Sequence, residues 1–226
     1  MHRVMRLHGQ YDNLSVWMQQ NGVKMTDSNK KCFARLEEFL KESRGIITAS
    51  YCRENGIPTV YLTRLEREGI LTRLSSGLYV TENADYDEHY FFQHRFSKAI
   101  YSYETAAFLQ NLTDKIPQDM DVTVNYSYKF NDHPVGVNVN YVKDDIYPLG
   151  IVTATTAFGN PVKVYSYERI ICDFIAHKER IDFEVYIQLV RSYAQYESKS
   201  IDSLLEIADK MRIITDVRKT MELMYE

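Results

Sequence analysis

The stretch that most limits what this chain can fold into is ITASYCRENGIPTVYLTRLEREGILTRLSSGLYV, residues 46–80. Thr48 can cap the free amides of a short helix over 49–55, and Gly56 supplies the left-handed residue that ends it. Pro58 stands where a second helix would begin, because its missing amide hydrogen and fixed φ cost nothing at a first helical position. Gly69 then stops that helix after Glu68. At about 100° per residue, Leu62, Leu65 and Gly69 fall on one side, Val60, Thr63, Arg64 and Arg67 on the other, and Tyr61 at the edge. The apolar runs 70–74 and 78–80 are separated by Ser75, Ser76 and Gly77, the chemistry of a tight hairpin. Ahead of them, Phe33, Leu36, Phe39 and Leu40 recur at helical spacing, predicting an amphipathic helix over about 28–42 with Lys30 and Lys31 near its start.

Two short helices across a glycine turn, followed by a small hairpin, have the grammar of a winged helix-turn-helix, whose dominant use is to lay its second helix in the DNA major groove. Groove entry requires hydrogen-bonding side chains that reach base edges, and cations that replace the counterions released from phosphate. Arg64 and Arg67 can do either, and Thr59 and Thr63 can contact bases or phosphates. Arg73 near the hairpin tip is placed for the backbone or the minor groove. Thr48, Val60, Tyr61, Ser75, Ser76, Lys30 and Lys31 complete the candidate DNA-binding set. The competing reading is a solvated helix, with Glu66 and Glu68 among its charges, on a module that docks protein.

A net charge of −4 argues against a generic nucleic-acid binder. The charge is uneven, however: residues 1–26 carry 3 basic and 1 acidic side chains, 27–80 carry 9 and 7, and 81–226 carry 15 and 23. A mildly positive front on a negative body assigns phosphate contact to the first third. It also predicts modest, salt-sensitive affinity for one copy, and hence two or more copies on repeated half-sites.

With 226 residues, 45% of them hydrophobic, the chain has room for two cores. The expected division is a leader or extra helix over 1–26, a DNA-binding domain over 27–82 and a further domain over 83–226. In the leader, Leu14, Trp17 and Met18 give a weak apolar spacing, consistent with a short helix or with an upstream extension before a start at Met25. No run approaches the roughly 18 apolar residues that span a bilayer, and the beginning lacks a signal peptide's apolar block, so a cytoplasmic location is expected. Cys32, Cys52 and Cys172 are odd in number and scattered, as for buried thiols in a reducing compartment. His89 and His94 do not share a helical face, His133 precedes a proline, and no Walker loop, dinucleotide fingerprint or zinc-protease motif occurs. Neither metal, cofactor nor catalytic residue is expected.

Beyond the connector 83–88 and the aromatic, basic run 89–96, Ser102 is placed to cap a helix burying Ala106, Ala107, Leu109 and Leu112. Period-two alternation predicts strands over 120–126, 135–142 and 150–157, and a turn at 158–161 leads into another over 162–165. Ser166 caps a helix over 167–177, and further helices follow at about 182–196, 201–210 and 214–224. The fold class is therefore α+β: an N-terminal winged helix-turn-helix, then a mixed sheet-and-helix domain with C-terminal helices. Glu168, Arg169 and Asp173 could present an ion-paired surface to a partner, but their pattern favours locking the helix to the sheet. Tyr126, Tyr128, Tyr141, Tyr147, Tyr165 and Tyr167 could form a stacking platform for single strands; the acidic balance favours core and rim packing instead.

Together, the front module ending in RLSSGLYV, the SYETAAFLQNL helix followed by DVTV, and the FGNPVKVYSYERIICDFI stretch resemble the AbiEi family of type IV antitoxins over about residues 27–226. Such antitoxins are encoded in bacteria beside a nucleotidyltransferase-like toxin and repress their own operon. The resemblance implies DNA reading by residues 58–68 and the wing around Arg73, with antitoxin function in the body from about residue 83. It implies a non-enzymatic autorepressor of an abortive phage infection system, bound to double-stranded operator DNA at inverted repeats. Its toxin would be a functional partner without a stable complex. Two other classes stay open: a protein-docking module, and an enzyme that reverses a toxin's modification. The enzyme would require converging acid, base or metal-binding groups that the sequence does not display.

Overall fold

The computed structural model describes residue 14, residues 26–130 and residues 134–225. Trp17, Met18, Met25 and His133, named above, lie outside the described residues. What is described separates into two compact units, one ending at Tyr86 and the other beginning at Asp87.

In the first unit, α1 (Asp27–Glu42) starts where Thr26 accepts a hydrogen bond from the Asn29 amide, 3.3 Å, and buries Phe33, Leu36 and Leu40. Arg44 and Gly45 reverse the chain at φ values of 52° and 87°. Gly45 is required there, since a β-carbon would run into Thr81 Oγ1. Next come β1 (Ile46–Thr48), α2 (Ala49–Glu54), α3 (Val60–Arg67), β2 (Thr72–Ser75) and β3 (Leu78–Val80). The strands form an antiparallel sheet in the order β1-β3-β2. Ile47, Cys52, Leu62, Leu65 and Tyr79 join the apolar residues of α1 in one core, which also takes in Leu14.

Three local details depart from expectation. Strand β1 was not foreseen, because three residues are too few to show a period. The second short helix begins at Val60 rather than at Pro58: the amides of Tyr61 and Leu62 donate to carbonyls three residues back, at 3.1 and 3.0 Å, so a tight turn occupies 58–60. Finally, Thr72, Arg73 and Ser75 pair with Val80, Tyr79 and Leu78, leaving Leu74 as the extra residue of a β-bulge.

The second unit is built on a five-stranded mixed sheet in the order β6-β5-β4-β8-β7. At its centre, β4 (Ile100–Tyr101) runs antiparallel to β5 (Met120–Asn125) and parallel to β8 (Pro161–Tyr165). Flanking them are β6 (Val137–Val142), parallel to β5, and β7 (Ile151–Thr155), antiparallel to β8. The helices are α4 (Glu88–Arg95), α5 (Tyr103–Leu109), α6 (Tyr167–Ala176), α7 (Phe183–Gln195), α8 (Ile201–Lys210) and α9 (Ile214–Tyr225). All residues of α6 from Tyr167 to Ile175 are buried, as befits a helix enclosed on every side. Both the mixed sheet and the C-terminal helices agree with the α+β expectation.

Two elements here were also unforeseen. Strand β4 has only two residues, and α4 lacks a one-sided apolar stripe. It is anchored instead by a polar group: Gln93 donates from Nε2 to the carbonyls of Ala99 and Lys163, at 3.0 and 2.8 Å, and accepts from the Lys163 amide at 2.6 Å. Ser166 caps α6 by accepting from the Arg169 amide, 3.4 Å, whereas Ser102 makes no side-chain cap bond to α5, contrary to expectation. Tyr165 and Tyr167 are core residues, but Tyr126 is 64% exposed.

Candidate nucleic-acid interface

Burial fixes the orientation of α3. Leu62 and Leu65 are fully buried, while Thr63 and Arg67 are exposed and Arg64 is half-buried. Val60, at the start of the helix, is 57% exposed, and Thr59 just before it is also exposed. The face carrying threonines, valine and arginines therefore points to solvent.

Tyr61 does not belong to that face. Only 8% exposed, it tilts against Phe33 with ring centroids 4.6 Å apart, and its hydroxyl donates to Asn29 Oδ1 at 2.7 Å. Its angular position, next to Leu62 and one turn before Leu65, allows the ring to turn either way, and the contacts offered by Phe33 and Asn29 draw it toward the core. Thr48 is likewise committed locally, its Oγ1 accepting from the Tyr51 amide and the Ser50 hydroxyl, both at 3.1 Å. It holds α2 in place and has little reach beyond it.

On the hairpin, Arg73 is exposed, donates from Nε to the Ser75 carbonyl at 3.3 Å, and lies with its guanidinium carbon 5.9 Å from the Tyr79 ring centroid. That hydrogen bond spans the bulge and braces it. Ser76 is exposed and Ser75 half-buried. On α1, Lys30 and Lys31 are exposed; Lys30 approaches Asp27 at 3.9 Å, too open a pair to neutralise it. Leu74 was overlooked by the sequence reading, since nothing in the order Arg-Leu-Ser-Ser announces a bulge.

In the second unit, the charged residues of α6 are structural. Arg169, fully buried, donates from Nε to Asp173 Oδ1 at 3.0 Å and from Nη1 to the carbonyls of Ile146 and Leu149 at 2.8 and 3.1 Å. Its guanidinium lies 4.1 Å from the Tyr165 ring centroid. Glu168 accepts from the Ser200 amide at 3.1 Å and from the Tyr193 hydroxyl at 3.4 Å. These groups tie α6 to the sheet side and to the start of α8, as their sequence pattern favoured.

The same unit has a polar cleft of about 610 Å³, lined in part by Tyr103, Lys115, Asp121, Asn138, Asn140 and His177. Lys115 is held by Asp182 at 2.7 Å and by Glu104 at 3.6 Å. Burial pushes the Asp121 carboxyl up to about 6, with Glu104 and Asp119 acting in the same direction, against a hydrogen bond from Asn138 Nδ2 at 3.2 Å. A carboxyl raised on folding binds its proton more tightly in the native state, so it favours folding at low pH and this contribution disappears as pH rises from about 4 to about 6. Asp121→Asn should therefore flatten that part of the stability profile and be the more stable form at neutral pH, as measured by urea unfolding at several pH values. Among the described residues, no group of three or more histidines, cysteines, aspartates or glutamates could hold a metal ion, and no helix is long and apolar enough to cross a membrane.

Residues 34–81 match a family model described as transcriptional regulator, AbiEi antitoxin. The match runs from within α1 to just past β3, so this segment is similar to the AbiEi regulators. No curated protein matches the chain. Among solved structures, the crystal structure of the RV2827C protein from Mycobacterium tuberculosis is similar, at 12% identity and a TM-score of 0.50 over 86% of this chain and 81% of that one. At that identity the likeness concerns the fold.

Proposed function

We propose that the first unit is a winged helix-turn-helix with α3 as its reading helix and β2–β3 as its wing, and that it binds double-stranded operator DNA at inverted repeats. The observation that carries this reading is the outward face of α3, where Thr59, Val60, Thr63 and Arg67 are exposed over a core that fully buries Leu62 and Leu65. An exposed arginine with Thr63 one turn before it, and Thr59 four residues earlier still, suits both base edges and phosphate oxygens. The AbiEi antitoxin match over 34–81 supports the wider role: a non-enzymatic autorepressor in the cytoplasm, which also antagonises a nucleotidyltransferase-like toxin in an abortive phage infection system. The toxin is a functional partner and need not be held in a stable complex; the second unit carries that activity.

Titration of a duplex containing the chain's own upstream region, followed by fluorescence anisotropy at several salt concentrations, tests the DNA reading. The expected signature is an affinity that falls steeply with salt. Arg67→Ala should weaken binding by ~1–3 kcal/mol if the guanidinium reads a base, and by less, with a shallower salt slope, if it contacts phosphate alone. Unchanged binding would remove Arg67 from the interface, and salt-independent or absent binding by the parent chain would favour protein docking. Rescue of toxin-arrested cells by residues 87–226 alone separates the antitoxin role from repression.

A further inference from the structure

Large apolar side chains are rarely left open in this first unit. Phe33, Leu36, Leu40, Ile47, Leu62, Leu65, Leu71 and Leu78 are all nearly or fully buried, whereas Val60, Leu74 and Tyr86 are the large apolar residues of the unit found exposed among the described residues. Val60 lies on the outward face of α3, and Tyr86 ends the unit. Leu74 lies on the wing, 45% exposed, and it is the extra residue of the β2 bulge. A bulge re-aims one side chain at the cost of ladder pairing. Here the re-aimed residue is a leucine, and the bulge is braced by the Arg73 Nε hydrogen bond to the Ser75 carbonyl. A braced, outward leucine next to an exposed arginine has the composition of a minor-groove contact, in which the cation meets phosphate and the apolar group meets the sugar and base walls.

We propose that Leu74 is a groove-contacting residue: the bulge presents it to the deoxyribose and base walls of the minor groove while Arg73 holds the adjoining phosphate. This rests on the DNA-binding reading and adds an uncharged component to it. Contact by an apolar group releases no counterions, so it raises affinity equally at all salt concentrations, whereas phosphate contacts set the slope.

The test uses the full chain and the upstream duplex. Leu74→Ala should bind about tenfold more weakly at every salt concentration, with an unchanged salt slope, because three buried carbons are lost. Leu74→Met should retain affinity. Hydroxyl-radical footprinting should show protection of minor-groove sugars by the parent chain that is lost with Leu74→Ala, while circular dichroism shows the same fold. A Leu74→Ala protein with the parent's affinity and footprint overturns the inference and leaves the DNA reading intact. A flattened salt slope also overturns it, by showing that Leu74 acts only through Arg73. Absence of salt-dependent binding by the parent chain overturns both.

Discussion

Arg169→Ala is expected to destabilise the second unit by about 3–5 kcal/mol, the characteristic cost of removing one partner of a buried ion pair. The loss has two sources. Asp173, 2% exposed, would keep a carboxylate in a dry site without its counter-charge, and the carbonyls of Ile146 and Leu149 would lose the guanidinium, Ile146 retaining the Leu149 amide at 3.2 Å. Burial already pushes the Asp173 carboxyl up, opposed chiefly by the Arg169 guanidinium. Urea unfolding followed by tyrosine fluorescence measures the effect; a change under about 1 kcal/mol would show that the pair contributes no more than an exposed one. Removing both charges should be milder. Arg169 Nη2 and Asp173 Oδ2 have no hydrogen-bond partner among the described residues, so the native pair recovers only part of its desolvation cost. Arg169→Met with Asp173→Leu should therefore recover much of the stability that Arg169→Ala loses.

Leu65→Ala should cost about 2–5 kcal/mol in the first unit, through lost burial and the cavity left behind. Leu65 is fully buried in the front core, and its carbonyl accepts from the amides of Ile70 and Leu71 at 2.9 and 3.2 Å, at the exit of α3 toward the hairpin. A shift here misplaces both elements of the proposed interface. Duplex binding should fall with the fraction of folded first unit, while the unfolding transition of the second unit stays where it was. Differential scanning calorimetry separates the two, and an equal shift of both transitions would show one cooperative body rather than two.

The sequence displayed elements whose signals are local and repeated. The stripe of α1, the caps Thr48 and Ser166, and the apolar spacing of α7, α8 and α9 each repeat a signal within one or two turns. Elements defined by distant partners were illegible. Strand β4 is recognisable only through its partners, Thr123 and Val122 on β5 and Val164 on β8, and α4 because Gln93 reaches the backbone of Lys163. At the candidate interface, periodicity separated Leu62 and Leu65 from Thr63 and Arg67, but it could not tell which way a residue at the boundary turns. Tyr61 went inward because Asn29, 32 residues earlier, offers its hydroxyl an acceptor beside the Phe33 ring. Leu74 was invisible for a different reason, since a bulge depends on the register between two strands and not on either one.

The position of β4 has a consequence for synthesis. The first unit's strands and helices are all neighbours between residues 27 and 80, so its folding needs nothing made later. The central strand of the second sheet, by contrast, can pair with β5 but gains its other neighbour only when Val164 is made, and ribosomes adding roughly 5–20 residues per second need about 3–13 s to travel from Tyr101 to that residue. During that interval an emerging chain would carry a finished amino-terminal module ahead of an incomplete remainder, so whatever the first module binds could be engaged before the later module acts.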